Sequence, residues 1–287
     1  MGGVLTQAGS FLHMVLGGGI ARAAEDASHA VEGTEHSSAI HVVLKAEEVF
    51  NLFGFPITNS LLLTWVTMAV LIGFAFYFRS RLALIPGKLQ AGVEWAFEAV
   101  LNYMEETLES RELARRFFPL IATIFLFILV ANELAFLPGV GTSLGVDNGH
   151  GGLTPLFRAP AADLNTTLAL AIISFLTIEI TGVLTLGLLK YGGKFVNFKS
   201  PVDFAVGLIE LVSNLGRLIS FSFRLFGNIF AGEVMILVAA FFLPYLLPVP
   251  LMAFEVFVGF IQAVVFAMLT LFFIKLAIME PHGETAH

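Results

Sequence analysis

Residues 219–233, ISFSFRLFGNIFAGE, carry an arginine, Arg224, and a glutamate, Glu233, inside a stretch otherwise apolar enough for lipid. The surrounding apolar run, 202–243, is about 40 residues long. As a helix rising 1.5 Å per residue it would measure roughly 60 Å, twice the ~30 Å of a bilayer's hydrocarbon core, so it has to tilt or lie partly along the interface. Glu210, Arg217 and Arg224 recur every seven residues. At about 100° per residue they drift only about 20° per step and share one helix face, with Ser220 and Asn228 one turn either side of Arg224. Glu233 lies nine residues further on, about 13 Å and half a turn round, so it is not a local partner for Arg224.

The rest of the chain fits a membrane solvent. Of 287 residues, 57% are hydrophobic, 30 are Phe and 13% are charged, against about a quarter charged in a soluble domain. Thr58–Phe78 is an uncharged span, residues 117–138 form a second, Asn165–Leu189 a third containing Glu179, 202–243 a fourth, and 251–279 a fifth after a break at PYLLPVP (244–250). Between the first two, residues 86–116 place Leu89, Val93, Phe97, Val100 and Met104 at helical spacing, with Glu94, Glu98, Glu105 and Glu106 elsewhere. This predicts an amphipathic helix on the membrane surface or against a partner. The expected fold is all-α and polytopic, with about five membrane helices, that amphipathic helix, and two long tilted C-terminal helices forming a hairpin.

The Gly-rich segment GVGTSLGVDNGHGGLTP after the second span reads as an exposed connection. Residues 1–50 form an N-terminal tail, 51–279 the membrane domain and 280–287 a C-terminal tail. The apolar run FLHMVLGGGI (11–20) is too short to span, and it lacks the basic stretch of a signal peptide, so both a cleaved signal and a loosely ordered outer tail remain open. Arg79, Arg81, Lys88, Arg111, Arg115 and Arg116 fall between spans one and two, and Lys190, Lys194 and Lys199 after span three, whereas the 138–164 connection holds only Arg158. By the positive-inside rule the basic connectors and the C-terminus are cytoplasmic and the N-terminus lies outside.

In the fifth span Glu255 and Gln262 are seven apart and share a face. Two carboxylates toward the outer side, an arginine deeper, and Glu210 toward the inner side make a broken series of proton-exchanging groups. Buried carboxylates can take up and release protons near neutral pH, while an arginine keeps its charge and interrupts a continuous relay. The pattern suits proton transfer in two separate half-paths. Glu179 and Glu133 are weaker candidates of the same kind.

Several classes are excluded or disfavoured. With no cysteine there are no disulfides, thiolate metal sites or Cys nucleophiles. No GxxxxGK[ST] or GxGxxG is present and no basic, aromatic footprint for nucleic acid. His13, His29, His36, His41, His150, His282 and His287 all lie in tails or the outer loop, which argues against an intramembrane zinc hydrolase or a Ser–His dyad. No cofactor or metal is expected. A purely structural scaffold leaves the cost of Arg224 unexplained. An ion-coupled secondary transporter is the alternative, but the repeated halves typical of that class are absent.

SFRLFGNIFAGE (222–233), with LIELVSNLGRLIS (208–220) before it and FIQAVVFAMLT (260–270) after it, resembles subunit a of the F-type ATP synthases, and ADLNTTLALAIISF (162–175) resembles that family's third-helix signature. The likeness runs from about residue 45 to 279. It implies a non-catalytic stator in the bacterial inner membrane, working against the ring of c subunits, with peripheral-stalk subunit b as a further partner and the F1 sector an indirect one. Arg224 matches the essential arginine beside the ring. Asn228, Glu233, Glu255 and Gln262 match positions lining the outer access path, and Glu210 and Ser220 match positions on the inner side. The family often has a histidine at the Glu233 or Glu255 position; with two glutamates here, the pair is expected to titrate as a unit.

Overall fold

The computed structural model describes residues 46–52, 54–137, 145–147, 153–187, 191–193, 201–244 and 246–279. The proposed signal or outer tail over 1–45, the tail 280–287, Lys190, Lys194, Lys199 and all seven histidines lie outside the described residues.

A short antiparallel hairpin, β1 (Glu48–Leu52) and β2 (Phe55–Thr58), precedes the first helix, with Gly54 at φ +87° supplying the left-handed conformation its turn needs. The helices are α1 (Asn59–Ser80), α2 (Lys88–Leu108), α3 (Arg111–Ala135), α4 (Leu164–Leu186), α5 (Pro201–Phe242) and α6 (Pro248–Ile278). A second small hairpin, β3 (Gly145–Asp147) with β4 (Leu153–Pro155), lies between α3 and α4. All of these helices except α2 are long and apolar enough to cross a membrane.

Helix starts follow local chemistry. The Thr58, Ser110 and Asp163 side chains accept from the backbone N–H groups of Leu61, Leu113 and Asn165 and cap α1, α3 and α4. Asp163 also accepts from Ser60 Oγ at 2.7 Å, pinning the start of α1 to the start of α4.

The predicted amphipathic helix over 86–116 is two elements. Glu109, at φ 56° in the left-handed region, ends α2, and Arg111 already belongs to α3. No glycine marks that break. The predicted stripe packs from its middle onward: Met104 is fully buried and Phe97 meets Phe118 of α3 edge to face at 5.7 Å, while Leu89 is largely exposed.

Apolar lipid gives helices no hydrophobic reason to associate, so contact depends on close fit and small residues. The interior matches: α6 lies against α3, α4 and α5, and one core cluster sets Ala171 and Ala263 among Ile124, Ile128, Leu225, Ile229 and Phe266. Phe221 of α5 meets Phe266 of α6 edge to face at 5.0 Å. Outward-facing Ile72, Phe76, Ile180, Leu184, Val212 and Phe223 are exposed, as a lipid-facing surface requires. With 42 residues, about 63 Å of helix, α5 exceeds the ~30 Å bilayer core, as the length of its apolar run predicts. It forms the expected hairpin with α6.

Most of the Gly-rich segment read as an exposed connection lies outside the described residues, and the residues that follow it turn inward. Ala159, Pro160, Ala161, Ala162 and Asp163 are buried, the alanines wedged among α3, α4 and α5. Small side chains there let a non-helical backbone segment enter the bundle, a position tolerated only where protein surrounds it.

Candidate functional site

The α5 helix has two working faces. Phe221, Leu225 and Ile229, four residues apart, point into the bundle. One position round, Ser220, Arg224 and Asn228 lie on the exposed flank. Arg224 makes no ion pair among the described residues, although exposed apolar side chains such as Ile219 and Phe223 surround it.

Glu233 falls on the opposite side, as the nine-residue spacing requires, and finds a partner that sequence reasoning missed. Arg158 Nε donates to Glu233 Oε2 at 3.2 Å, and its Nη2 approaches the same oxygen at 3.2 Å, with the two side chains 12% and 24% exposed. The Arg158 guanidinium also lies over the Phe230 ring, 5.9 Å from its centroid. The only signal in the sequence was that Arg158 is the single cation of its connection.

Glu255, 2% exposed, reaches the α5 backbone next to Glu233. A Cβ on Gly232 would collide with all three atoms of the Glu255 carboxylate, so only glycine leaves room for it. The sequence-predicted carboxylates 233 and 255 are thus brought together, one anchored to a cation and the other pressed against bare backbone.

From Glu255 a polar seam follows one face of α6. Gly259, one turn on, packs against Asn132 of α3, whose Nδ2 donates to the Gly259 carbonyl at 3.3 Å. Gln262 follows, and its Oε1 accepts from Asn228 Nδ2 at 2.8 Å, linking the seam to the flank that carries Arg224. Glu255 Oε1, Asn132 Oδ1 and Gln262 Nε2 are buried with no hydrogen-bond partner among the described residues. Asn132 was not among the expected site residues, since an amide beside Glu133 at the end of an apolar span gave no spacing signal.

The remaining carboxylates lie apart. Glu210 is half-buried on α5, two turns before Arg217, and Arg217 sets its guanidinium over the Phe273 ring at 5.0 Å. Glu179 of α4 accepts from Tyr191 and Asn214. Glu133 is half-buried at the end of α3 and joins none of these groups. No group of three or more His, Asp or Glu side chains that could hold a metal occurs among the described residues.

The family model for the ATP synthase A chain matches residues 61–275. The chain is similar to ATP synthase subunit a 2 of Syntrophotalea carbinolica, 35% identical over 222 residues, covering 76% of this chain and 85% of the relative. It is 37% identical over 235 residues to ATP synthase subunit a of Mycobacterium bovis, covering 79% and 89% of the two chains. ATP synthase subunit a of Moorella thermoacetica is 33% identical over 227 residues, covering 79% and 94%.

Proposed function

Because this chain belongs to the ATP synthase A chain family, as a bacterial F-type subunit a, we propose that it moves protons to and from a ring of c subunits through two offset half-paths separated by Arg224. As a multi-pass membrane protein and a component of the ATP synthase complex, it serves ATP synthesis and proton transport. In this reading it performs no ATP chemistry itself. It sits in the bacterial inner membrane, N-terminus outside and C-terminus cytoplasmic, with subunit b and the F1 sector completing the stator.

The observation that carries the reading is Arg224: a cation on an apolar, outward-facing flank, with no ion-pair partner among the described residues. An arginine at a helix centre in lipid costs on the order of 2.5–3.5 kcal/mol even on the mild insertion scale, so the flank is completed by a partner that supplies a carboxylate. A ring acid does so. Neutralised by a proton it can leave the arginine and face lipid; ionised it is held.

The outer half-path is the seam through Glu233, Glu255, Asn132, Gln262 and Asn228. Three unmatched buried polar atoms along one face favour hydration, since such atoms are normally satisfied by water where protein does not reach. Arg158 holds Glu233 in place, and Glu255, without a cation of its own, is the freer of the two to carry a proton. Glu210 and Ser220 serve the inner half-path, beyond Arg224.

Because the chain has no cysteine, single-cysteine variants give clean contacts. Ser220→Cys and Phe223→Cys on the exposed flank are expected to cross-link to cysteines placed around the c-subunit carboxylate, while Thr177→Cys on α4 is not. A flank that never cross-links to the ring in assembled complexes would overturn the reading.

A further inference from the structure

Glu179 has no task in the half-paths described above, yet its surroundings are built. It lies half-buried on α4 seven residues before the helix ends, in a span whose buried polar residues are the hydroxyls Thr167, Ser174 and Thr181. Two donors from separate segments converge on it. Tyr191, in the helical turn at 191–193, donates its hydroxyl to Oε2 at 2.8 Å, and Asn214 of α5 donates Nδ2 to Oε1 at 3.3 Å.

The seat of Tyr191 is cut into α4. A Cβ on Gly182 would drive into the Tyr191 ring, so glycine at that position lets the phenol lie against the helix with its oxygen at Glu179. Arg217 of α5 lines the same small cavity as Glu179, together with Phe175, Ile178, Leu218 and Phe221. It makes no salt bridge to Glu179 among the described residues and instead stacks over Phe273. Here the cation stands off, leaving the carboxylate held by neutral donors beside a cavity.

We propose that Glu179 is a proton-exchanging group of the half-path that contains Glu210, with the Tyr191 hydroxyl as its outlet. This extends the reading given under Proposed function and rests on it. A ring acid releases its proton to water in this half-path, and the Glu179 carboxylate takes it, forming an O–H bond. The buried Tyr191 hydroxyl, which donates to Oε2 at rest, then turns from Glu179, gives its own proton to a water that reaches it and accepts the one on Glu179, which restores both groups and moves one proton. Burial, and then the hydrogen bond to Glu179, hold the Tyr191 hydroxyl above the ordinary phenol range, so it relays while staying neutral. Asn214, which holds Glu179, lies one helical turn after Glu210, so both carboxylates of this half-path belong to the same stretch of α5 and α4. Asn214 and Gly182 are positioning residues.

The test is ATP-driven proton pumping by the assembled holoenzyme in inverted vesicles, normalised to the amount of this chain present. Glu179→Gln keeps the shape and an acceptor but cannot ionise. It is expected to slow pumping at least about tenfold, less than the 10²–10⁴ a positioned acid–base group can contribute, because Glu210 still exchanges beside it. Glu179→Asp is expected to recover most of the rate. Native pumping by Glu179→Gln at native assembly would overturn the proposal. Should that variant leave no assembled complex, Tyr191→Phe decides: a rate lowered several-fold with assembly intact supports the relay, and a native rate overturns it. Arg224→Ala in the same assay separates the levels. If it also pumps normally, the underlying half-path reading has failed; if it stops pumping while Glu179→Gln is native, only the role of Glu179 is lost.

Discussion

Gly232→Ala should disable the outer half-path through one methyl group. The new Cβ would fall well inside van der Waals contact of the Glu255 carboxylate carbon and both its oxygens. Restoring ordinary contact, about 3.5 Å, moves the carboxyl by roughly an ångström or more. Because the obstacle is the end of a flexible side chain, the fold can yield, at about 1–3 kcal/mol for inserting a methyl into a packed site. The functional cost is larger, since a misplacement of about 1 Å can lower the rate of a positioned group by up to about 10²-fold. Pumping by assembled complexes in inverted vesicles is therefore expected to fall between about tenfold and 100-fold, with ATP hydrolysis by detached F1 unchanged. Glu255→Asp withdraws the carboxyl by one methylene, so Gly232→Ala/Glu255→Asp should pump faster than Gly232→Ala alone. Native pumping by Gly232→Ala, or no recovery in the double variant, would refute the placement of Glu255 against the α5 backbone.

Other expectations follow from single contacts. Arg158→Gln leaves Glu233 without its cation and should destabilise the solubilised complex by about 2 kcal/mol, below the 3–5 kcal/mol of a fully buried pair because Glu233 keeps 24% exposure; Arg158→Gln/Glu233→Gln should regain part of it in thermal unfolding. Asn228→Ala removes the donor to Gln262 Oε1 and should cost about 1–2 kcal/mol by the same measurement, while Asn228→Gln should cost less. At the end of α2, the hydrogen bond and charge of Lys275 hold the Glu109 carboxyl below its ordinary range. A depressed folded-state value means the contact's contribution is fully present above the unfolded value, about 4.3, and is lost as pH falls through the folded one. Any thermal advantage of the native chain over Glu109→Gln should therefore shrink below about pH 4 and also with added salt, because Glu109 is exposed.

Much of this was legible because membrane helices declare themselves locally. The bounds of α1, α4, α5 and α6 fall within a few residues of the apolar runs, the four-residue spacing put Ser220, Arg224 and Asn228 on one flank, and the nine-residue offset put Glu233 on another. The illegible parts are tertiary. Arg158 and Glu233 are 75 residues apart, and nothing periodic joins a loop cation to a helix carboxylate. Gly232 and Gly182 carry no distinguishing signal in the sequence; that each clears space for a polar side chain depends on which neighbour lies opposite. The break at Glu109 used a left-handed glutamate where glycine is the usual signal, so the sequence reading ran the amphipathic helix on to residue 116, into the start of α3. The alanines at 159, 161 and 162 looked like loop and proved to be core, because smallness, the property that suits them to a close-packed wedge, has no hydropathic signature.

The central claim is that Arg224 both holds the ring carboxylate and separates the half-paths. Proton transport by vesicles containing the assembled complex, native against Arg224→Ala, tests both parts when ATP-driven pumping and passive leak are measured together. Pumping is expected to vanish with assembly intact while passive leak through the membrane sector rises. Coupled pumping at the native rate would contradict the claim and leave Arg224 a structural residue.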